Sequence, residues 1–243
     1  MLEILLLVGL IVFVTSTLEA VTGFGCTVLA FPFVIFLMKD LEHVKIVLSI
    51  LALLLAAYFA IVKFRHINWK QFGIIILLAG LGLPVGMMIF NSLDAAILKK
   101  LLGVFIVISA AIQLYKCFAP LSSTHSLSDI VGYVFLFTGG IVHGAFAVGG
   151  PLIVLYSAGK MPDKGQFRAT MCLLWTTLNT VLMFQYLFEK KINLEITRDL
   201  LVLLPFLIAG IFAGEVIHNK VNEALFKKIV FASLFLVGVV MIF

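Results

Sequence analysis

Two short stretches decide how this chain is read: TGFGCTVLAFP at 22–32 and GAFAVGGP at 144–151. Each sets glycines and a proline inside a long apolar run, where an unbroken membrane helix has use for neither. In hydrocarbon, a backbone that stops being helical leaves N–H and C=O groups unpaired at a cost of several kcal/mol each. Such breaks persist where protein buries them or where they line a polar cavity. Two of them, similarly placed in two halves of one chain, point to a transport site.

The rest of the chain makes the membrane its solvent. Of 243 residues, 63% are hydrophobic and 12% charged, and the mean hydropathy is +1.23. A soluble domain is about one quarter charged. The 23 phenylalanines suit lipid-facing surface and inter-helix packing. The formal charge of +5 does not mark a nucleic-acid binder, because Lys and Arg sit in short gaps between apolar runs. Cys26, Cys117 and Cys172 lie far apart, in or beside apolar segments, and form neither a disulfide framework nor a zinc motif. They read as small packing residues, and no cofactor motif is present. The opening MLEILLLVGLIVFVTSTLEA carries Glu3 where a signal peptide is basic, and the apolar character resumes after Ala20, so it reads as part of the mature protein.

Apolar segments are expected at 4–18, 21–38, 44–62, 72–90 and 97–118, then at 130–142, 145–158, 169–188, 199–217 and 225–243. Between the two sets lies a Ser-rich connector, PLSSTHS at 120–126. The chain thus divides into a first repeat at 1–118, a connector at 119–129 and a second repeat at 130–243. The halves match in detail. Phe24 aligns with Phe146, Lys45 with Arg168, and Ile67-Asn68 with Ile192-Asn193. Gly86, Asn91 and Lys99-Lys100 align with Gly214, Asn219 and Lys227-Lys228. The collinear order, with an offset drifting from 122 to 128, is the mark of one duplication with small insertions.

The fold class expected is an all-α polytopic membrane protein of two five-segment repeats. Residues 4–38 would span roughly 50 Å as one helix at 1.5 Å per residue, whereas a bilayer core needs about 20 residues. The excess, broken near Gly23 and Gly25, predicts a broken or re-entrant helical hairpin opening each repeat. Two passes there plus three ordinary spans make the repeats inverted. If 4–38 crossed once, the chain would instead have eight spans as two parallel four-span repeats. Both arrangements with the N-terminus outside put ten Lys/Arg inside and seven outside, a small bias towards N-out, C-out.

The bends supply the candidate chemistry. Gly23 and Gly25 flank Phe24, while Gly144, Gly149 and Gly150 surround Phe146. One reading is close helix packing by small residues. The other is that each bend exposes backbone N–H groups at the start of the following half-helix, which carries roughly half a positive charge and holds an anion without a lysine. Thr22 and Thr27 would add hydroxyl donors, and the site would suit a small anion with several oxygens. Glu19, four residues before Gly23, is either an interfacial carboxylate or the residue that binds a coupled proton. His143 beside the second bend is either hydrogen-bonded to a neighbour or part of transport. In WTTLNT at 175–180, Thr176 and Asn179 share a helix face. They serve inter-helix hydrogen bonds or donate to substrate oxygens. Lys45 and Arg168 open equivalent helices and read as interfacial anchors that could draw anions to the two mouths of the site. Glu215, near His218, reads as structural.

The residues Thr22-Gly23-Phe24-Gly25 followed by Pro32, and Phe146-Ala147-Val148-Gly149-Gly150-Pro151, resemble the sulfite exporter TauE/SafE family, also called toluene sulfonate uptake permeases. The resemblance covers essentially the whole chain, including the duplication and the polar connector. Ala147 stands where the family's glycine is expected, and Thr27-Val28-Leu29 stands where the second repeat has Gly-Gly-Pro. The resemblance implies movement of organosulfonates, sulfite or related small anions across a bacterial cytoplasmic (inner) membrane; the reading of Glu19 makes a proton, or else a sodium ion, the candidate coupling partner. An oligomer is compatible with it.

Three other classes compete with a secondary transporter. No HExxH pair, GxSxG elbow or GxGD motif supports a membrane enzyme. Glu19-Ala20-Val21, Gly25 and Ile35-Phe36-Leu37 mimic the spacing of the coupling loop of ATP-driven permease subunits. That loop faces solvent, whereas this stretch is apolar and has no counterpart in the second half. An anion channel remains the third class, separated from a carrier by saturable, gradient-dependent flux.

Overall fold

The computed structural model describes residues 2–118 and 128–217, together with the isolated positions 235 and 239. Among the described residues the elements are α1 (Leu2–Thr22), α2 (Cys26–Met38), α3 (Leu41–Val62), α4 (Trp69–Ser92), α5 (Ala95–Phe118), α6 (Asp129–Phe146), α7 (Gly150–Lys160), α8 (Lys164–Phe188) and α9 (Leu194–Ile217), with a 3₁₀ turn at Phe64–His66. Seven helices are long and apolar enough to cross a membrane, and α2 is a shorter apolar helix. The connector at 120–126, all but positions 235 and 239 of the segment expected at 225–243, His218 and the matched Asn219 and Lys227-Lys228 lie outside the described residues. So does the side chain of Cys117. Cys26 and Cys172 are buried free thiols.

Local chemistry sets where the ordinary spans begin. Asp40 caps α3 by accepting from the N–H groups of Glu42 and His43, and Asp163 caps α8 by accepting from Gln166 N–H at 2.7 Å. Asn68 caps α4 through Gln71 N–H at 3.1 Å, and Asn193 does the same for α9 through Ile196 N–H at 2.9 Å. Each side-chain oxygen satisfies a donor that the first helical turn cannot. The two asparagines are the pair matched in sequence between the halves.

Packing exchanges elements between the halves. α1 lies along α9, and α4 lies along α6, while α3 and α8 meet each other. Glycines let the backbones touch. A Cβ at Gly82 would meet the carbonyl of Phe137, and one at Gly86 that of Ile141. From the other side, Gly140 abuts the carbonyl of Ala79, and Gly144 that of Leu83. Residue numbers rise together along this seam, so α4 and α6 run parallel. Gly210 against Ser16 and Gly214 against Ala20 form the matching parallel seam of α9 on α1. Small residues spaced by four are how helices approach when lipid removes the hydrophobic drive.

Along the α3–α8 contact the numbers run oppositely. The Lys45 ammonium lies 5.9 Å from the Tyr186 ring centre, and the Arg168 guanidinium lies 3.9 Å over the Phe59 ring. These helices are antiparallel. Their starts therefore lie at opposite faces of the bundle. At the first face His43 Nε2 meets Asp199 Oδ2 at 3.0 Å, and Lys191 bridges Glu42 and Glu189, each at 2.6 Å. Burial pushes the Glu189 carboxyl up, but hydrogen bonds from Lys191 and Gln185 outweigh it and hold the group below its usual range. At the second face, Asn68 N–H donates to Thr170 Oγ1 at 2.9 Å. There too Lys160, at the end of α7, pairs with Asp129, at the start of α6, at 2.7 Å. α6 and α7 thus form a hairpin whose two ends share one face.

Gly140→Val is expected to destabilise the protein by about 3 kcal/mol, because it drives a branched side chain into the backbone of α4. Gly80→Ala, with nothing within 4 Å of the added carbon, is expected to leave stability level or raised. Thermal unfolding of the two variants in detergent checks this contrast.

Candidate functional site

Both bends fall between the helix pairs, α1–α2 and α6–α7, as the broken apolar runs predict. At the first, Gly23 has φ +85° and Gly25 φ +116°, backbone that side-chain-bearing residues rarely adopt. A Cβ at Gly23 would also lie 2.8 Å from the Arg168 Cα. At the second bend the positive φ, +57°, falls on Ala147, and its N–H closes α6 on the His143 carbonyl at 2.7 Å. Gly149 has an ordinary φ of −64°. It is small for another reason: a Cβ there would strike the Gly139 carbonyl and lie 2.8 Å from the His143 Cβ.

The bends share a small pocket. Of the residues singled out in the sequence, Glu19, Gly25, Thr27, His143, Gly150 and Asn179 line it. Thr22, Gly23, Phe24, Phe146, Gly149 and Thr176 stand around it without lining it. The Thr22 hydroxyl is committed to its own turn, bonding the carbonyls of Leu18 at 2.9 Å and Phe24 at 2.8 Å. Thr176 Oγ1 donates back to the Cys172 carbonyl at 2.8 Å, so that from that polar run Asn179 and Trp175 line the pocket and Thr176 does not. Phe24 packs edge-on against Phe167, and Phe146 edge-on against Phe90. Neither ring lies open to the cavity.

The two helix starts differ. At α2 the buried Glu19 carboxylate reaches seven residues along the chain and accepts from Cys26 N–H at 2.6 Å. The helix-start donor expected to wait for an anion is already taken by a carboxyl group of the protein itself. At α7 no side chain caps Gly150, and Pro151 removes the next donor. His143, only 3% exposed, stands beside it. Its Nε2 is 3.2 Å from Asn179 Oδ1, and its Nδ1 is buried with no hydrogen-bond partner among the described residues. With Nε2–H donating to Asn179, a neutral ring presents Nδ1 as a bare acceptor, and a protonated ring presents a donor.

Trp175 ties the bends together. Its indole stacks on His143 with ring centres 5.6 Å apart, and its Nε1 donates to the Gly23 carbonyl at 3.0 Å. Trp175, Ala52, Val28, Ala147 and Val148 also line the pocket. Trp175 and Val148 sit beside residues already singled out. Ala52, in mid-α3, carries no local signal.

Lys45 and Arg168 are not interfacial anchors. They are 1% and 6% exposed, each on the second turn of its helix and turned inward. Lys45 Nζ donates to the Gly144 carbonyl at 2.9 Å, at the end of α6 where helix carbonyls are short of donors. It also lies 3.8 Å over the Phe90 ring. Glu215 accepts from the Tyr58 hydroxyl at 3.4 Å. Among the described residues no group of three or more His, Cys, Asp or Glu could hold a metal ion.

A bundle of apolar helices, broken twice around a small polar pocket, is the architecture of a membrane transport protein. The family model for sulfite exporter TauE/SafE matches residues 8–241. The chain belongs to this family and is a multi-pass membrane transporter. No curated protein and no solved structure gives a significant match.

Backbone strain yields a paired prediction. Gly25→Ala is expected to cost about 1–2 kcal/mol, because φ +116° suits no side chain. Ala147→Gly should gain about 0.5 kcal/mol by relieving φ +57°. Unfolding midpoints of the two purified variants check both signs.

Proposed function

We propose that this protein is a secondary transporter of small organic or inorganic anions, sulfonates or sulfite, working by alternating access around the pocket between the two bends. The observation that carries the reading is the meeting of an uncapped helix start at Gly150 with the partnerless Nδ1 of His143 in one buried cavity. A helix start favours negative charge. A protonated His143 adds a charge-assisted donor beside it. Asn179 and Trp175 orient the ring, and Thr27 offers a hydroxyl on the opposite wall.

Glu19 gives the carrier a means of coupling. While ionised it occupies the Cys26 N–H and repels a second anion. Protonated, it frees that N–H for a substrate oxygen. Anion and proton then bind together, and the pair crosses with less net charge than the anion alone. Gly23, Gly25 and Gly149 shape the bends. Thr22, Phe24, Phe146 and Thr176 hold the surrounding backbone and rings in place.

The two repeats are read as inverted. Support comes from the antiparallel course of α3 and α8, the third segments of the two halves, and from the seams that pair α1 with α9 and α4 with α6. Rocking of one set against the other would then open the pocket to either face. The small excess of Lys/Arg favours an N-terminal face outside the cell, in a bacterial inner membrane.

Uptake of methanesulfonate, a permanent anion, into proteoliposomes with an imposed pH gradient and no ATPase tests the reading. Saturable uptake that accelerates when the side of entry is acidified is expected. Flux equal to that of protein-free vesicles would overturn it. Glu19→Gln, which cannot ionise, should flatten the pH profile while uptake persists. His143→Gln should lower kcat/KM at least about 10-fold, the scale of one charge-assisted hydrogen bond.

A further inference from the structure

Lys45 and Arg168 occupy matching places in the two halves, yet they are not treated alike. Each lies on the second turn of the third segment of its half, buried, with its cation about 4 Å above a phenylalanine ring. Lys45 is satisfied by the carbonyl of Gly144, at the end of the helix before the second bend. Arg168 stands against the first bend, its backbone touching the space a Cβ on Gly23 would need. There the Gly23 carbonyl is taken by Trp175 instead. Nε and Nη2 of Arg168 are left buried with no hydrogen-bond partner among the described residues.

Glu215 and Tyr58 act on Arg168 electrostatically, but their short contact is with each other. A guanidinium held away from water with two donors unmet is costly, and charges at membrane depth usually serve a pathway or a partner. The vacant donors Nε–H and Nη2–H lie on one edge of the guanidinium. That edge matches two oxygens of one oxyanion in a bidentate pair.

We propose that Arg168 is a second oxyanion seat, separated from the pocket by the first bend and lying towards the face where α8 begins. It takes ligands with two oxygens on one centre, such as sulfonates or sulfite, and passes them to or from the pocket. The proposal rests on the anion-transport reading for its ligand class. The seat itself is independent of His143. Lys45, already bonded to a carbonyl, is no such seat, so the two faces of the carrier differ in how they receive an anion.

The test is thermal unfolding of the purified full chain in detergent, with methanesulfonate or sulfate added against chloride. Wild type, Arg168→Gln, Arg168→Lys and His143→Gln are compared. An oxyanion-dependent rise in Tm of about 2 °C or more is expected in wild type and in His143→Gln. It should vanish in Arg168→Gln and be at most half as large in Arg168→Lys, which keeps the charge without the fork. In chloride alone Arg168→Gln should unfold close to wild type, because relief of the two unmet donors offsets the lost contact with the Phe59 ring. A rise retained in Arg168→Gln, or absent from wild type, overturns the seat. A rise lost in His143→Gln but kept in Arg168→Gln overturns the seat and leaves the pocket standing. A rise kept in His143→Gln and lost in Arg168→Gln supports the seat even if the pocket reading fails on uptake.

Discussion

A helix that stops inside hydrocarbon leaves donors and acceptors that lipid cannot satisfy, and the whole fold follows from meeting that demand twice. At the first bend the Gly23 carbonyl is met by Trp175 from α8, and the Cys26 N–H by Glu19 from α1. Before the second bend the Gly144 carbonyl is met by Lys45 from α3. In two of these three contacts the partner comes from the other half. Neither hairpin is satisfied alone, so the bends require the two halves to close on each other.

That closure depends on bare backbone at the seams. Gly82 and Gly86 face Gly140 and Gly144, and Gly210 and Gly214 face Ser16 and Ala20. Close approach sets α4 against α6 and α1 against α9. It thereby fixes where the hairpins they carry or flank meet. A side chain on either seam would move a bend before it touched the pocket. Packing far from the site is thus part of the site's geometry.

Within this paired architecture the chemistry is uneven. One helix start is held by the protein's own carboxylate, the other lies beside an imidazole nitrogen with nothing to bind. One buried cation closes a helix end, and its counterpart has idle donors. The two halves hold their bends in similar frames, and different side chains answer them.

Much of the frame was legible in the chain itself. Hydropathy located the segments, and Asp40, Asn68, Asp163 and Asn193 marked helix starts because a cap acts on a donor two or three residues away. The glycines marked the bends, although Gly149 proved to serve close packing and Ala147 to carry the left-handed turn. Lys45 and Arg168 read as interface residues because sequence position alone makes a charge near a helix end look solvated. Only the tertiary structure turned both inward, where ring faces and a helix terminus replace water. The same holds for Glu19, whose reach back to Cys26 exists only once the bend folds it there, and for Ala52 and Trp175, which α3 and α8 bring to the pocket. Local sequence determined which backbone must break. The packing of one half on the other decided which side chains answer the break and which were left with donors to spare.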